Sequence, residues 1–409
     1  MAADKQDKVL NVPTLRFPEF TGEWEESTIG KEFELYSGNT PSRLDKENYV
    51  GDVNWITSGE LKEHYIGDTK EKISERSAKE NNLRLMPEGT FVIAIYGLEA
   101  EGVRSTGSII SKQSTISQAC MAFTPKGGIS NEFLYAWYKK HGNVIGIRYA
   151  QGTKQQNLSY DIIEKFRIRY PSQKEQDKLN SFISLLDTRI STQIRIIEKL
   201  QSLMKGLNDY LQESVTLSYS LSFSEIGKDY SGLSGKTAED FGSGLPYITY
   251  VSIYANSFVD DDCCGKVSVS SGEKQNVVLK GDMLFTLSSE TPEEVCYGAV
   301  YSGNSTETYL NSFCFGVRNT EGKVFSPFMA YFFNSKRFRR EVYPLAQGST
   351  RFNLQKPDFL RKRFSYPSID DQHKIFKILN AYDNKIKLEY QVLAHYQHQK
   401  EYLLHSLFI

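Results

Sequence analysis

Two tandem globular domains of mixed α/β (α+β) class, separated by two long helices that form a coiled coil, are the fold this sequence predicts. Three observations predict it: an internal repeat, a heptad-like stripe closing each copy, and short apolar runs between turn signals ahead of each stripe.

The repeat is plainest around two loops. Ala150-Gln151-Gly152-Thr153, followed by Asn157-Leu158, returns as Ala346-Gln347-Gly348-Ser349, followed by Asn353-Leu354, a shift of 196 residues (348 − 152). The same shift carries Tyr170-Pro171-Ser172 onto Tyr366-Pro367-Ser368, Gln176 onto Gln372 and Asp187 onto Asp383. Nearer the start, Ile29-Gly30-Lys31 matches Ile226-Gly227-Lys228 at 197 (227 − 30), and Trp55-Ile56-Thr57 matches Tyr247-Ile248-Thr249 at 192 (248 − 56). The copies are close at their ends and diverge in the middle.

Each copy ends in a helix with a readable start. Ser172-Gln173-Lys174-Glu175 reads as a capping box after Pro171, and Ser368-Ile369-Asp370-Asp371 repeats it after Pro367. Leu179, Ile183, Leu186, Ile190, Gln193, Ile197, Leu200, Met204, Leu207 and Leu211 then recur at alternating steps of four and three. So do Ile375, Leu379, Tyr382, Ile386, Glu389, Leu393, Tyr396, Lys400, Leu403 and Leu407. This is coiled-coil spacing, and the polar Gln193 and Glu389 fall at the same seam position, where such residues commonly fix register. The competing reading is a helix packed on its own domain's core. Length favours the seam, since Leu179 to Leu211 spans roughly 50 Å at ~1.5 Å per residue.

The segments ahead of the helices read as mixed and mainly β. Thr90 to Ile95 follows a Pro87-Glu88-Gly89 turn, Met283 to Leu287 follows Lys280-Gly281-Asp282, and both have the character of buried strands. Ser130 and Ser326 are placed to cap short aromatic helices at 131–140 and 327–336, with Pro327 at the first helical position. The expected layout is an N-terminal arm at 1–20, domains at 21–171 and 215–367, and helices at 172–214 and 368–409.

Composition bounds the function. A chain of 409 residues suits two or three domains, and 39% hydrophobic content is enough to bury cores. The 24 Phe and 25 Tyr favour half-buried strands. A net charge of -1 announces neither a membrane-surface protein nor a free-standing nucleic-acid binder. The 5 cysteines make no CxxC pair and have no histidine at ligand spacing, which argues against zinc and fits reduced thiols in a cytoplasm. Met1 to Thr14 lacks the apolar core of a signal peptide, and no run approaches the ~18 apolar residues of a membrane span. A soluble, cytoplasmic protein without a membrane partner is expected.

A family resemblance rests on pieces in a fixed order. These are Leu15-Arg16-Phe17-Pro18 with Trp24, Ser37-Gly38-Asn39-Thr40-Pro41-Ser42, Trp55-Ile56-Thr57-Ser58-Gly59-Glu60-Leu61, the Gln-Gly elements with Asn-Leu, and Tyr-Pro-Ser before each long helix. From about Leu15 to its end the chain resembles the specificity subunit of type I restriction-modification systems. The resemblance implies that each globular copy is a target-recognition domain reading one half of a split double-stranded DNA sequence. It implies that the helices pair antiparallel, act as a ruler and dock two modification (methyltransferase) subunits. Those partners would carry S-adenosylmethionine, restriction/translocase subunits would join through the complex, and this chain would hold no cofactor, metal or catalytic residue. A rigid separator suits half-sites at fixed spacing: ~50 Å corresponds to roughly 15 base pairs at ~3.4 Å each.

Enzymatic motifs fail on inspection. Gly235-Lys236-Thr237 lacks the earlier glycine of a phosphate-binding loop, because Tyr230 stands there, and the 197 shift sets Ser234 to Thr237 against Ser37 to Thr40. Asp371-Gln372-His373-Lys374 lies in a first helical turn, where acidic residues stabilise the dipole. No Asn-Pro-Pro-Tyr, Gly-x-Ser-x-Gly, Gly-x-Gly-x-x-Gly or His-Glu-x-x-His occurs.

Candidate DNA contacts are forked or basic side chains on loops. In the first copy they are Thr57, Ser58, Lys62, Arg104, Lys112, Lys154, Gln155 and Gln156; in the second, Thr249, Tyr250, Arg337, Arg339, Arg340, Thr350 and Arg351. Further positive charge comes from Arg148, Lys165, Arg167 and Arg169, and from Lys336, Lys356 and Arg361-Lys362-Arg363; the competing reading for this set is a solvated basic face. Asn157 and Asn353 recur, which suits a structural role in the loop. The acidic stretches Asp260 to Asp262 and Glu290 to Glu294 should face away from DNA or toward base amines. Two other classes remain, a coiled-coil scaffold carrying two β-rich binding modules and an autonomous methyltransferase.

Overall fold

The computed structural model describes residues 11–100 and 103–409, so the first half of the expected N-terminal arm lies outside the described residues. The chain divides into two compact units. One contains the described residues up to Ile194 together with Val392–Ile409, and the other is Arg195–Gln391.

In the first unit a five-stranded sheet runs in the order Phe33–Ser37, Cys120–Pro125, Phe91–Ala94, Gly107–Ile110, Tyr65–Ile66. A three-stranded sheet orders Lys72–Ile73, Val53–Ile56, Thr115–Ile116, and a two-stranded ribbon pairs Glu25–Thr28 with Arg167–Tyr170. Phe91 to Ala94 are all buried, as a central strand covered on both faces requires. The helix Asn131–Tyr149 packs its aromatic residues into this core, and the Ser130 hydroxyl accepts from the Phe133 N–H as its cap. This helix is longer than the expected 131–140, because Tyr138, Gly142, Ile145 and Gly146 keep a buried stripe going.

The second unit repeats these three sheets and adds a fourth, ordered Ser288–Ser289, Phe352–Leu354, Ala346–Gln347. Its large sheet orders Lys228–Ser231, Cys314–Arg318, Met283–Thr286, Gly298–Tyr301, Phe258–Val259; its small one orders Cys264–Val267, Phe241–Ile248, Tyr309–Leu310. Leu217–Ser222 pairs with Arg363–Pro367. The aromatic helix differs: Ser326–Phe332 starts one residue before Pro327 with Phe325 as its cap position, and a second helix, Lys336–Val342, begins at a Ser335 cap.

Hydrogen-bond register corrects one alignment. Leu35 pairs with Phe123 where Asp229 pairs with Val317, and Thr28 pairs with Arg167 where Ser222 pairs with Arg363. The first part of the repeat is thus offset by 194 (229 − 35), and the 197 match of Ile29-Gly30-Lys31 is a coincidence of three residues. Gly38 corresponds to Gly232, not Gly235: a side chain at either would strike a carbonyl, at 1.7 Å from Ile116 O or 2.0 Å from Asn311 O.

The central helix runs Gln173–Ser214 and the C-terminal helix Ile369–Leu407. In the first unit Leu179, Ile183 and Leu186 share a core with Leu403, Leu404, Leu407 and Phe408. In the second, Met204, Leu207 and Leu211 pack on the core that contains Ile375 and Leu379. Within each unit, therefore, the two helices lie side by side in opposite chain directions. Gln193, Ile197 and Ile386 are buried, and Ile190, Leu200, Glu389, Leu393 and Tyr396 half-buried. Tyr382, expected in the seam, is 39% exposed, a departure from the strict stripe.

The helix starts differ from each other too. Ser368 accepts from the Asp371 N–H at 3.2 Å, as a cap should. Glu175 instead turns its carboxylate to the Arg16 fork, at 2.8 and 2.7 Å, and to the Trp24 indole at 3.4 Å. One position on, the fully buried Gln176 and Gln372 repeat one another. Gln176 Oε1 accepts from Ser130 N and its amide donates to Pro171 O; Gln372 Oε1 accepts from Phe325 N and its amide donates to Pro367 O.

Candidate functional site

The Gln-Gly loops are built alike in the two units, and the glycines show why. Gly152 has φ +125° and Gly348 φ +139°; an added Cβ would lie 1.9 Å from Gln155 O or 2.1 Å from Arg351 O. Each loop therefore closes tightly over the carbonyl three residues on, which only glycine permits. Both are fastened to the segment after the central strand, by Leu158 N to Ile95 O at 2.9 Å and by Leu354 N to Leu287 O at 2.8 Å. Asn157 pairs with Gln151 across the first loop, and Asn353 with Gln347 across the second. The recurring asparagines thus belong to the loop frames.

In the second unit several candidates converge. Thr249 caps the helix Tyr250–Ala255, and the Tyr250 hydroxyl donates to Ser288 O at 2.7 Å. Tyr250 and Arg351 line one cleft of about 250 Å³ with Val251, Tyr254, Ser289 and Glu290. Thr350 is exposed beside them, and the Arg351 guanidinium lies over the ring of Phe313, 5.8 Å from its centroid. Phe313 is 57% exposed and went unnoticed in the sequence, where no motif marks it. Of the acidic stretches, Asp260 caps a turn, Asp261 accepts from the Tyr301 hydroxyl, and Glu294 accepts from Tyr254 at 2.6 Å.

Arg337, Arg339 and Arg340 do not join that cleft. Arg339 donates to the carbonyls of Glu293, Val295 and Cys296, Arg337 to those of Gln212 and Ser365, and Arg340 pairs with Glu213 at 2.6 Å. Burial lowers the pKa of Arg339 and of Arg337. Much of the other positive charge is also matched locally: Lys336 by Asp209, Lys356 by Asp229, Arg361 by Asp358, Lys362 by Glu341, Arg363 by Glu225, and Arg167 and Arg169 by Glu26.

In the first unit Lys154 and Gln155 are exposed at the loop tip. Gln156 is held by its backbone, its N–H on the Glu99 carboxylate at 2.8 Å and its carbonyl on Leu98 N at 2.9 Å. Arg104 supports the same segment, donating to Leu98 O at 2.7 Å and Glu99 O at 3.3 Å. Thr57 and Glu60 form a capping box over the short turn that starts at Ser58; Lys62 is exposed, and Lys112 pairs with Asp68 at 2.9 Å on the surface. Separately, a groove of about 620 Å³ lies between Trp137, His141, Tyr149 and Phe166, edged by Arg148, Lys165 and Arg167. Burial, reinforced by the neighbouring Lys140 and His405 side chains, pushes His141 down to about 4.

A half-buried charged cluster also escaped the sequence reading. His64 is stacked between Tyr65 and Tyr135, at 4.2 and 4.1 Å, with Nε2 2.9 Å from Glu132 and Nδ1 3.4 Å from Asp187. Lys400 pairs with Asp187. Burial works against the imidazolium, but hydrogen bonds to Asp187 and Glu132 outweigh it and raise the pKa. This cluster ties the five-stranded sheet to both long helices within the first unit; the repeat of Asp187 at Asp383 was its one trace in the sequence.

Among the described residues no group of His, Cys, Asp and Glu is placed to hold a metal ion, and no helix is long and apolar enough to cross a membrane. Cys120, Cys296 and Cys314 are buried, which pushes their thiols up, Cys120 to about 12, so none is a ready nucleophile.

Comparison with known proteins follows the duplication. A family model described as the type I restriction modification DNA specificity domain matches twice, over residues 21–202 and 231–395. The type I restriction enzyme MjaVIII specificity subunit of Methanocaldococcus jannaschii is 22% identical over 407 residues, 94% of this chain and 91% of that one. The MjaIX specificity subunit of the same organism is 29% identical over 185 residues, and there the match spans 44% of this chain and 42% of the relative. Among solved structures, the type I restriction-modification S subunit from M. genitalium superposes with a TM-score of 0.53 at 17% identity, covering 97% of this chain and 99% of that one. A chain from a study of assembly and conformational transition of the type I R-M system gives 0.61 at 13% identity, covering 93% and 96%.

Proposed function

The chain belongs to the type I restriction-modification DNA specificity family, and from that premise we propose that each unit reads one half of a two-part DNA target while the long helices set the gap and dock two modification subunits. The observation that carries this reading is the pair of Gln-Gly loops: one backbone, fixed by Gly152 and Gly348, presents different exposed side chains in the two units. A shared frame with unlike tips is what two readers of different half-sequences need. The chain itself is non-catalytic in this proposal. Methyl transfer, with S-adenosylmethionine, belongs to the modification subunits, cleavage and translocation to further subunits, and the assembly works in the cytoplasm. The locally matched cations fit a division in which partner subunits supply much of the phosphate attraction.

The test is methylation mapping of DNA from cells that express this chain with its modification subunit. A new methyladenine motif in two parts with a fixed gap is expected, and exchange of residues 21–171 for those of another such chain should change one half alone. If the modification subunit is active with another specificity chain but leaves no mark with this one, the scaffold reading takes its place.

A further inference from the structure

The turns that lead into Cys120–Pro125 and Cys314–Arg318, the second strand of each large sheet, are built alike in the two units. Ile95 N donates to Ala119 O at 2.9 Å in the first unit, and Leu287 N to Phe313 O at 2.9 Å in the second. The turns match as well: Cys120 N donates to Ser117 O, and Cys314 N to Asn311 O, both at 3.0 Å. Ala119 is therefore the counterpart of Phe313. The loop glycines likewise make Gln155 the counterpart of Arg351, since each offers the carbonyl over which its glycine closes.

We propose that these two positions, 119 with 155 and 313 with 351, are where each unit distinguishes one base pair from another. The inference rests on the DNA-reading function proposed above and names the residues that execute it. Around them the frame is constant: Gly152 and Gly348, Asn157 and Asn353, Leu158 and Leu354. What changes is the chemistry at the tip. Arg351 presents a forked cation that matches guanine O6 and N7, and Gln155 presents an amide that matches adenine N6 and N7. Close packing of each residue's own carbonyl against a glycine places the backbone from which its side chain starts, which lowers the ordering cost of binding. Phe313 gives the guanidinium a face to rest on, and its exposed ring is suited to a thymine methyl alongside. Ala119 offers no such face, and an amide needs none. Lys154, a flexible point charge one residue before Gln155, suits a phosphate instead.

The experiment maps methylation by the complete complex carrying Arg351→Gln, Arg351→Lys, Gln155→Arg or Phe313→Ala. Arg351→Gln is expected to cut the preference for one guanine in the second half roughly tenfold to a hundredfold, with the first half and the gap unchanged. Arg351→Lys keeps the charge and loses the fork, so it should relax the same base; it also guards against misfolding as the cause. Gln155→Arg should alter one adenine of the first half only, and Phe313→Ala should weaken the second half by a smaller factor. Unaltered base preference in the Arg351 and Gln155 variants overturns the proposal. So does an even loss of methylation over all sites with the motif intact, which marks a phosphate contact. A wild-type complex that leaves no two-part mark is a different failure, that of DNA reading itself, and takes the pair down with it.

Discussion

The walls of the two large sheets carry the same backbone with opposite side chains. Ile29, Ile93, Met121, Ile163 and Ile168 line the core of the first unit, and Phe223, Phe285, Phe315, Phe359 and Phe364 occupy the equivalent places in the second. The exchange is compensated along the same strands. Phe91 and Phe123 of the first unit, stacked at 5.5 Å, are replaced by Met283 and Val317, and the stacked pair Phe285 and Phe315, at 5.2 Å, stands two residues further along. Leu134 similarly gives way to Ala330 on the covering helix. The pair of cores teaches that this topology asks for filled volume on a given face and leaves the identity of the filler open.

The sharpest way to break the comparison is to empty one wall. Phe285→Ala should destabilise the second unit by about 3–5 kcal/mol, read by denaturant unfolding with hydrogen exchange to localise the loss. Transplanting the strand part of the other solution, with Met283→Phe, Phe285→Ile, Phe315→Met and Val317→Phe together, should come within about 1–2 kcal/mol of the wild type. A larger deficit would show that the cores are not interchangeable.

A second contrast concerns how each unit grips the helices. Where the first unit has His64, Tyr65 and Asp187, the second has Ser257 and Phe258, with Phe258, Tyr331 and Phe376 in mutual ring contact. Asp187→Ala strands Lys400 and His64 in partial burial and should cost about 2–3 kcal/mol, less than a fully buried pair because water still reaches it. Asp383→Ala removes only a local partner of Lys387, 3.2 Å away, and should cost about 0.5 kcal/mol or less. Equal losses would end the contrast. Comparable with the Asp187 loss, Gly152→Ala and Gly348→Ala should each cost about 1–3 kcal/mol of backbone strain and, on the proposed function, disable one half-site each.

The smallest expected effect is a pH slope confined to the first unit. The folded-state pKa of His64 lies above its ordinary 6.5, so its contribution is complete below that value and is lost as pH rises through the folded value. The groups facing it are Tyr65, Glu132, Tyr135 and Asp187, with Lys139 and Lys400 close by. Lys139, pushed down to about 8 chiefly by burial, works in the opposite sense above that pH, and His141 is neutral in both states above 6.5. Stability of the first unit should therefore decline between pH 6.5 and 8, and His64→Gln should remove the decline; a slope that survives the substitution assigns it elsewhere.

The duplication, the seam and the loop glycines were legible because they are local patterns repeated in one chain. The offset of 194 in the early part of the repeat was not, since Leu35 opposite Phe123 and Asp229 opposite Val317 are pairings over long sequence distance. Glu175 shows the same limit: its spacing from Ser172 suits a cap, yet Arg16 and Trp24 reach it from more than a hundred residues away. At the candidate site, the basic run Lys336 to Arg340 made Arg339 a candidate DNA contact, whereas three backbone carbonyls surround its guanidinium. Phe313 became visible only after the hydrogen-bond register set it against Ala119.

The assignment of Val392–Ile409 to the first unit has a consequence for biogenesis. Phe408 is fully buried against Phe133, and Leu15 N donates to Ser406 O at 3.1 Å. A ribosome working from the N-terminus thus releases every residue of the second unit before it supplies the last pieces of the first. The half that begins earliest is finished latest, and in the interval its helix Asn131–Tyr149, with Phe133 not yet covered by Phe408, presents apolar surface that a chaperone could shield.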